Sequence, residues 1–319
     1  MTPTTTPSPA RPFRLGTRRS PLAMAQALET RARLCAAHGW PEDAVELVPV
    51  IASGDRIQDR PLAEIGGKAL WTRELDACLI EGTIDAAVHS LKDVETLRPA
   101  ELTIAAVLPR EDVRDVLLGA ATIAALAPGA RVGTSAPRRA AQLLHARPDL
   151  VVVGFRGNVA TRIAKLAAGE ADATLLAAAG LARLGEIGVG TPLEVDDWLP
   201  APAQGAIGIE CRTGDARALA YLAAIDHAPS RAEVMAERAL LAGLGGTCHS
   251  PIAVLTTHAN DYGGADLVMR AALYSPDGAA RIERSARFAA GDLEGPARLA
   301  ALLLDEAEDA IARNFTGLA

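Results

Sequence analysis

Arginine placement is the feature of this chain that most suggests ligand chemistry. Six arginines lie at or just beyond points where a predicted strand passes into a predicted helix: Arg18, Arg19, Arg138, Arg139, Arg156 and Arg162. In doubly wound sheets this edge is the ligand face, and helix N-termini there already favour anions. A guanidinium binds a carboxylate in bidentate fashion, so a converging set predicts a ligand with several carboxylates or phosphates. A single arginine in such a place is most often a solvated surface charge, and only the shared position of the set favours a site.

A second group of reactive residues follows a predicted buried strand, in the loop HSLKDV at 89–94. Here Ser90, Lys92 and Asp93 place a hydroxyl, a base and an acid at the same edge of the predicted sheet. A neighbouring Lys-Asp pair is most often a surface ion pair that contributes little energy. The pattern alone leaves both interpretations open.

Cys248 lies in the glycine-rich segment GLGGTCHSP, which lets the backbone approach closely and leaves the sulfur accessible. Cysteine is usually a small buried hydrophobe, and a functional thiol is the alternative. The other cysteines are Cys35, Cys78 and Cys211, and none forms a C-x-x-C pair. The cysteines therefore indicate neither a zinc site nor a disulfide framework.

The composition excludes several classes of protein. The net charge is −7 and aromatic residues make up only 3% of the chain, whereas a general nucleic-acid binder carries positive charge and stacking aromatics. Nucleotide-binding glycine motifs are absent, and no stretch approaches the roughly 20 apolar residues of a membrane span. The first dozen residues read as a disordered polar tail without the apolar region of a secretory signal. We therefore expect a cytoplasmic protein with neither a nucleic-acid nor a membrane partner.

Element patterns predict α/β units along most of the chain, and 319 residues fit two or three domains. A strand from Phe13 leads through the cap Ser20-Pro21 to a helix with apolar residues at helical spacing. Those apolar positions are Leu22, Ala25, Leu28, Ala32 and Cys35. A strand at 45–51, a helix at about 72–81 and a strand at 85–89 follow.

The phrase RVGTSAPRRAAQLL repeats the order of RLGTRRSPLAMAQAL: a strand, Gly-Thr, then Ser and Pro opening a helix. This similarity predicts two related α/β domains, and strands in LVVVGF and ADATLLAA with a helix after Asn158 continue the alternation. From about Arg231 a helix, two strands around the turn at 276–278 and a helix from Leu293 predict a small α+β domain. Hinges are expected near 109–112 and 200–205.

Taken together, the motifs identify the chain as similar to the porphobilinogen deaminases, also called hydroxymethylbilane synthases. The resemblance runs from Phe13 to about Ile252. It rests on GTRRSPLA, ELVPV, GGKALWTREL, AVHSLKDV, REDVRDV, GTSAPRRA, RPDL, RGNVATR, AAAGLARLG, PAQGAIGIECR and GGTCHSPIA, in family order.

This resemblance implies an α/β fold of two doubly wound, periplasmic-binding-protein-like lobes and a third, small α+β domain. The expected boundaries are a disordered tail at 1–12, domain 1 at 13–109 with 205–226, domain 2 at 110–204, and domain 3 at 227–319. Domain 3 would carry Cys248 on a loop that points into a cleft between the two lobes.

The resemblance also implies roles for individual residues. Cys248 matches the cysteine that holds a dipyrromethane primer through a thioether, and Asp93 matches the catalytic aspartate. The implied cofactor-binding residues beside Cys248 are Ser90, Lys92, Asp55, Lys68, Thr134, Ser135, Arg138 and Arg139. The implied substrate-binding residues are Arg18, Ser20, Arg156 and Arg162. No metal is implied.

The implied activity is a transferase reaction of haem biosynthesis that joins four porphobilinogen molecules into the linear tetrapyrrole hydroxymethylbilane and releases ammonia. Primer and four additions make six rings with twelve carboxylates, which suits an arginine-rich cleft. Loss of ammonia gives an electron-poor azafulvene, and a buried carboxylate at Asp93 would stabilise its cationic form. Porphobilinogen is the expected partner, the protein is expected to be a monomer, and contact with the next enzyme of the pathway is left open.

Four positions depart from the pattern of the family and bear on local detail of the pocket: Trp71, Glu95, Ala136 and Pro137. The alternative from another class is a two-lobed anion-binding or sensor module without catalysis, because paired α/β lobes also build clamshell binders. Such a module needs neither Asp93 nor an accessible Cys248, so those two residues discriminate between the hypotheses.

Overall fold

The computed structural model describes residues 9–51, 72–247, 249–259 and 266–315. The described chain divides into two compact units, one of residues 9–51, 72–110 and 206–231, and one of residues 111–205 and 232–315.

The first unit is built on a five-stranded sheet in the order β2-β1-β3-β10-β4, which we call the first lobe. Its strands are β1 (Phe13–Arg18), β2 (Val45–Val50), β3 (Ala86–Ser90), β4 (Leu102–Val107) and β10 (Ile207–Arg212). Strands β1, β2 and β3 are parallel, whereas β10 runs antiparallel to both β3 and β4. Its helices are α1 (Pro21–His38), α2 (Arg73–Ile80) and α6 (Ala216–Ala223).

Helix α1 begins where the sequence predicts, but it buries a different face. Ser20 caps the helix by accepting from the Ala23 amide, and Pro21 opens the first turn. The predicted apolar positions Leu28 and Ala32 are exposed. The buried positions are Ala23, Gln26, Ala27, Thr30, Leu34 and His38. The prediction from apolar spacing was wrong because Gln26 and Thr30, although polar, lie on the buried face. Gln26 hydrogen-bonds Ser90, and the Thr30 hydroxyl donates to the Gln26 carbonyl.

The second unit contains a five-stranded sheet in the order β7-β6-β8-β5-β9, which we call the second lobe. Its strands are β5 (Asp115–Leu118), β6 (Arg131–Gly133), β7 (Val151–Val153), β8 (Ala173–Ala177) and β9 (Thr191–Pro192). Its helices are α3 (Pro137–Ala146), α4 (Val159–Ala167) and α5 (Ala178–Arg183).

The two sheets have the same topology. In each, a central strand has parallel neighbours on both sides, and an antiparallel strand pairs beyond one of them. The central strands β1 and β6 are those of the repeated sequence phrase, and each is followed by a helix with proline in its first turn. The prediction of two related α/β domains is confirmed by this correspondence.

The second unit also contains a three-stranded antiparallel sheet, which we call the third domain together with its helices. The strands β11 (Ile252–His258), β12 (Asp266–Tyr274) and β13 (Arg281–Ala289) are ordered β11-β12-β13. The helices are α7 (Ala228–Gly243), of which residues 232–243 belong to this unit, α8 (Glu294–Asp305) and α9 (Asp309–Ala312). Two of these strands and both long helices match the predicted pattern, whereas β11 was not predicted. The fold class of two α/β lobes and a small α+β domain is confirmed.

Hydrogen bonds are present at two places that the sequence analysis marked as a tail or a hinge. Arg11, in the stretch assigned to a disordered tail, donates two hydrogen bonds to the Asp85 carboxylate at 2.8 and 2.6 Å. The Glu111 amide donates to the Gly205 carbonyl where the chain crosses between units. Across the described ranges, no helix combines the length and the apolar character that crossing a membrane requires.

Candidate functional site

A pocket in the first lobe collects several of the residues that the sequence singles out. It lies at the carboxyl ends of β1 and β3, which are neighbours in the sheet. Its polar lining comprises Arg18, Ser20, Gln26, Thr72, His89, Ser90 and Asp93. The parallel pairing explains this convergence, because neighbouring parallel strands deliver the residues after them to the same edge.

Two side chains fix the wall of this pocket. Gln26 Nε2 donates to Ser90 Oγ at 2.8 Å, and Ser90 Oγ donates to Gln26 Oε1 at 3.1 Å. Gln26 is buried, while Ser90 is half-buried at the end of β3. The hydroxyl of Ser90 is therefore held in one orientation at the rim of the pocket.

Asp93 closes a single 3-10 turn, Leu91–Asp93, that continues directly from β3. The side chains of Lys92 and Asp93 are both half-buried. From the sequence we expected a buried carboxylate at Asp93, so this residue is more exposed than expected. Asp93 lines the pocket beside Arg18 and Ser20, whereas Lys92 is not among the residues that line it. Arg19 is exposed.

The corresponding edge of the second lobe holds another group of predicted residues. Ser135 Oγ donates to the Phe155 carbonyl at 2.7 Å, which joins the turn after β6 to the turn after β7. That second turn carries Arg156, and Arg162 follows in α4, where its Nε donates to the Gly157 carbonyl at 3.0 Å. Both arginines are half-buried. The buried Thr134 hydroxyl accepts from the Ala136 amide.

Arg138 and Arg139 are buried and share one carboxylate. Asp115, which is fully buried, accepts from Arg138 at 2.7 Å and from Arg139 at 2.7 and 3.2 Å. Trp198 Nε1 and Gln204 Nε2 also donate to it. Burial opposes ionisation of Asp115, but the two guanidiniums outweigh this effect and hold its pKa below the usual range. The arginines therefore form a packed ion cluster, although the sequence suggested freely accessible cations.

Several predicted residues lie outside the described part of the chain: Asp55, Lys68, Trp71 and Cys248. Within the described residues, no cluster of His, Cys, Asp and Glu side chains has the arrangement of a metal site.

Sequence reasoning missed three residues of these edges: Gln26, Thr72 and Asp115. The available signal for Gln26 was its place in a helix that packs on the sheet. A polar residue buried there needs a hydrogen-bond partner, and this partner is Ser90. Asp115 follows four other charged residues in REDVRD, so its burial had no signal in the sequence. Thr72 is fully buried at the start of α2 and lines the first-lobe pocket.

The first-lobe pocket holds groups that suit a ligand with both carboxylates and pyrrole N–H groups. Arg18 supplies a cation and Asp93 an acceptor within one pocket. In the Asp115 cluster of the second lobe, Arg138 Nε is buried without a hydrogen-bond partner among the described residues. Arg18 fits a carboxylate side chain of a dipyrromethane, and Asp93 fits one of its pyrrole N–H groups.

Comparison with known proteins agrees with these observations. Residues 13–220 match the family described as "Porphobilinogen deaminase, dipyromethane cofactor binding domain", and residues 231–308 match "Porphobilinogen deaminase, C-terminal domain". The porphobilinogen deaminase of Sphingopyxis alaskensis is 56% identical over 97% of this chain and 98% of its own length. That of Paracoccus denitrificans is 52% identical over 85% of this chain and 87% of its own.

Among solved structures, a periplasmic substrate-binding protein of an ABC transporter from Coxiella burnetii aligns with a TM-score of 0.41 at 14% identity. The alignment covers 68% of this chain and 93% of that one. The family matches disfavour the alternative of a two-lobed binding module without catalysis. They extend over both lobes and the third domain, and the chain belongs to the porphobilinogen deaminase family.

Proposed function

We propose that this chain joins four porphobilinogen molecules head to tail into hydroxymethylbilane, with release of one ammonia per molecule added. The observation that carries the proposal is the first-lobe pocket, where Arg18, Ser90 and Asp93 meet at the edge of one sheet. The membership of the family supplies the substrate class, a small pyrrole with carboxylate side chains.

Asp93 is proposed as the catalytic carboxylate. When ammonia leaves porphobilinogen, positive charge develops on the pyrrole, and a fixed carboxylate next to it lowers the energy of that state. The same oxygens accept a hydrogen bond from the pyrrole N–H and take part in proton transfer. Its position in the single turn after β3 holds the carboxylate on a rigid strand end.

Arginines at the two edges are proposed to bind the carboxylates. Arg18, assisted by Ser20, binds those of the incoming substrate, and Arg156 and Arg162 bind those of substrate and growing product. Each is half-buried, so a bound carboxylate would be partly desolvated and its ion pair strengthened.

Cofactor binding is proposed for a further set of residues: Cys248, Ser90, Lys92, Asp55, Lys68, Thr134, Ser135, Arg138 and Arg139. When bound, the dipyrromethane supplies the pyrrole carbon to which the first substrate is joined. Cys248 is proposed to form the thioether. Two other cysteines are poorly suited to this role, because burial raises the pKa of Cys35 and raises that of Cys211 to about 11.

The domain boundaries expected from the sequence remain part of this proposal, as do hinges near 109–112 and 200–205. We also propose that the protein acts as a monomer in the cytoplasm.

The test is the intact mass of protein purified from a host that makes porphobilinogen. We expect an excess over the sequence mass equal to two linked pyrrole units. The excess should survive reducing denaturation, because a thioether is not cleaved by thiols as a disulfide is. The Cys248→Ala variant should lack it and be inactive, whereas Cys35→Ala, Cys78→Ala and Cys211→Ala should retain it. Active wild-type protein at the plain sequence mass would refute the covalent primer.

A further inference from the structure

Arg98 is the centre of an ion network next to the Asp93 turn, Leu91–Asp93. Its guanidinium binds both oxygens of Glu210 on β10, with Nε and an Nη each at 2.9 Å. It also binds Asp76 on α2 and, at 2.7 Å, Glu95. Arg98 is largely buried, and Glu210 is completely buried. One side chain thus joins a strand, a helix and the loop that follows Asp93.

One branch of the network reaches the pocket through Glu95. This residue lies two positions after Asp93, at one of the places where the sequence departs from the family pattern. The same Glu95 oxygen accepts from Arg98 and, at 2.7 Å, from the hydroxyl of Thr72. Thr72 lines the pocket together with Asp93. The backbone after Asp93 is therefore tied to the wall of the pocket.

The other branch reaches the pocket through Glu210. Its second oxygen lies 3.1 Å from Nε2 of His89, which lines the pocket and immediately precedes Ser90. Burial opposes ionisation of Glu210, but the adjacent His89 and the hydrogen bonds from Arg98 lower its pKa to about 2, so it stays charged at neutral pH. Arg98 hence binds two carboxylates that each contact a residue of the pocket wall. Glu95 contacts Thr72, and Glu210 contacts His89.

We infer that Arg98 is a positioning residue for Asp93, fixing the catalytic turn from both sides through Glu95 with Thr72 and through Glu210 with His89. The inference rests on the proposed role of Asp93. A guanidinium is required because only its planar fork binds several carboxylates at once, whereas a lysine ammonium is a point charge.

The first test is the steady-state kinetics of Arg98→Lys, which keeps the charge and removes the fork. We expect kcat to fall roughly tenfold to a hundredfold, because small misplacements of a reacting group cost rates of this size. The KM for porphobilinogen and the mass of the bound primer should stay close to wild type. Arg14→Lys is the matched control, since Arg14 binds Asp85 and the Gly82 carbonyl at the opposite end of β1.

A double-mutant cycle separates positioning from general stabilisation. If Arg98 acts through Asp93, Arg98→Lys should cause no further loss of kcat in an Asp93→Asn background. Equal losses in both backgrounds, or wild-type kcat in Arg98→Lys, would overturn the inference. If Arg98→Lys does not fold, Glu95→Gln replaces it in the cycle, with the same expected non-additivity. Failure of the proposed function is distinct, because wild-type protein itself would then lack turnover and primer mass.

Discussion

Gln26 on α1 and Ser90 at the end of β3 hydrogen-bond each other twice, at 2.8 and 3.1 Å. The pair joins the helix that follows β1 to the strand that leads into the Asp93 turn. Because Gln26 is buried, its amide has no ready alternative partner in water.

Gln26→Met keeps the volume of the side chain and leaves the Ser90 hydroxyl without this partner. We expect the free energy of unfolding, measured in urea, to fall by about 1 to 3 kcal/mol. Adding Ser90→Ala should restore part of that loss, because replacing both partners removes the unpaired group. A double variant less stable than Gln26→Met alone would contradict this account.

Asp93→Asn keeps the size of the side chain and deletes its negative charge. We expect folding to survive and product formation to fall at least roughly a hundredfold, as when a preorganised stabilising group is lost. The rate is followed by ammonia release, with the exposed Asp43→Asn as the control. Near-normal activity would assign the catalytic role to another group.

Arg156→Leu and Arg162→Leu should each stall elongation, because a substrate carboxylate would lose its bidentate partner. The expected loss is about 2 to 5 kcal/mol if the pair is desolvated. Partly extended enzyme species should accumulate on native gels. Arg131→Leu is the control, since Arg131 binds Asp172 and the Gly169 carbonyl at the other end of β6. Turnover equal to wild type in both test variants would show that these arginines are surface charges.

Acid should destabilise the first lobe between about pH 4 and pH 2. Burial opposes ionisation of Asp85, but Arg11 and Arg14 lower its pKa to about 2, and that of Glu210 is also about 2. A carboxyl whose folded pKa lies below its unfolded value of about 4 stabilises the fold above that value. This stabilisation is lost as the pH falls through the folded pKa.

Urea midpoints measured from pH 5 to pH 2.5 test this expectation. Asp76 acts in the opposite direction, because burial raises its pKa and favours the protonated form in the fold. The Asp85→Asn variant should be less stable at pH 7 and lose less stability on acidification. A midpoint that is constant from pH 5 to pH 2.5 in wild type would contradict the assignment.

Gly205→Ala should destabilise the second unit more than Gly129→Ala. Both glycines have positive φ, at +84° and +73°, so each substitution carries a backbone cost of about 1 to 2 kcal/mol. A methyl group at Gly205 would also lie 2.4 Å from the Glu111 carbonyl oxygen, whereas at Gly129 it meets open space. Thermal unfolding of the two variants measures the difference, and equal melting temperatures would count against this close approach.

The sequence predicted the strand and helix order well where local signals were strong. The cap Ser20-Pro21, Gly82 after α2 and the turn at 276–278 all coincide with ends of elements in the structure. The buried face of α1 was not predictable from apolar spacing, since Gln26 and Thr30 are buried through long-range and backbone hydrogen bonds.

The site was predictable only in part, for a related reason. Motif order indicated Arg18, Ser90 and Asp93, and parallel strands bring them to one pocket. Arg98 lies outside the motifs and Asp115 lies in REDVRDV without any sign of burial, and most of their partners are distant in sequence. Their importance follows from the tertiary packing of several elements.

The ion cluster of Asp115 has a consequence for the entropy of ligand binding. Arginine side chains lose substantial rotamer freedom when they are fixed, and a binding site usually bears that loss when its ligand arrives. Here Arg138 and Arg139 are also fixed by the Leu199 and Leu175 carbonyls. Folding of the second lobe has thus already ordered both guanidiniums, and an anion that binds beside them encounters donors whose conformational freedom is already lost.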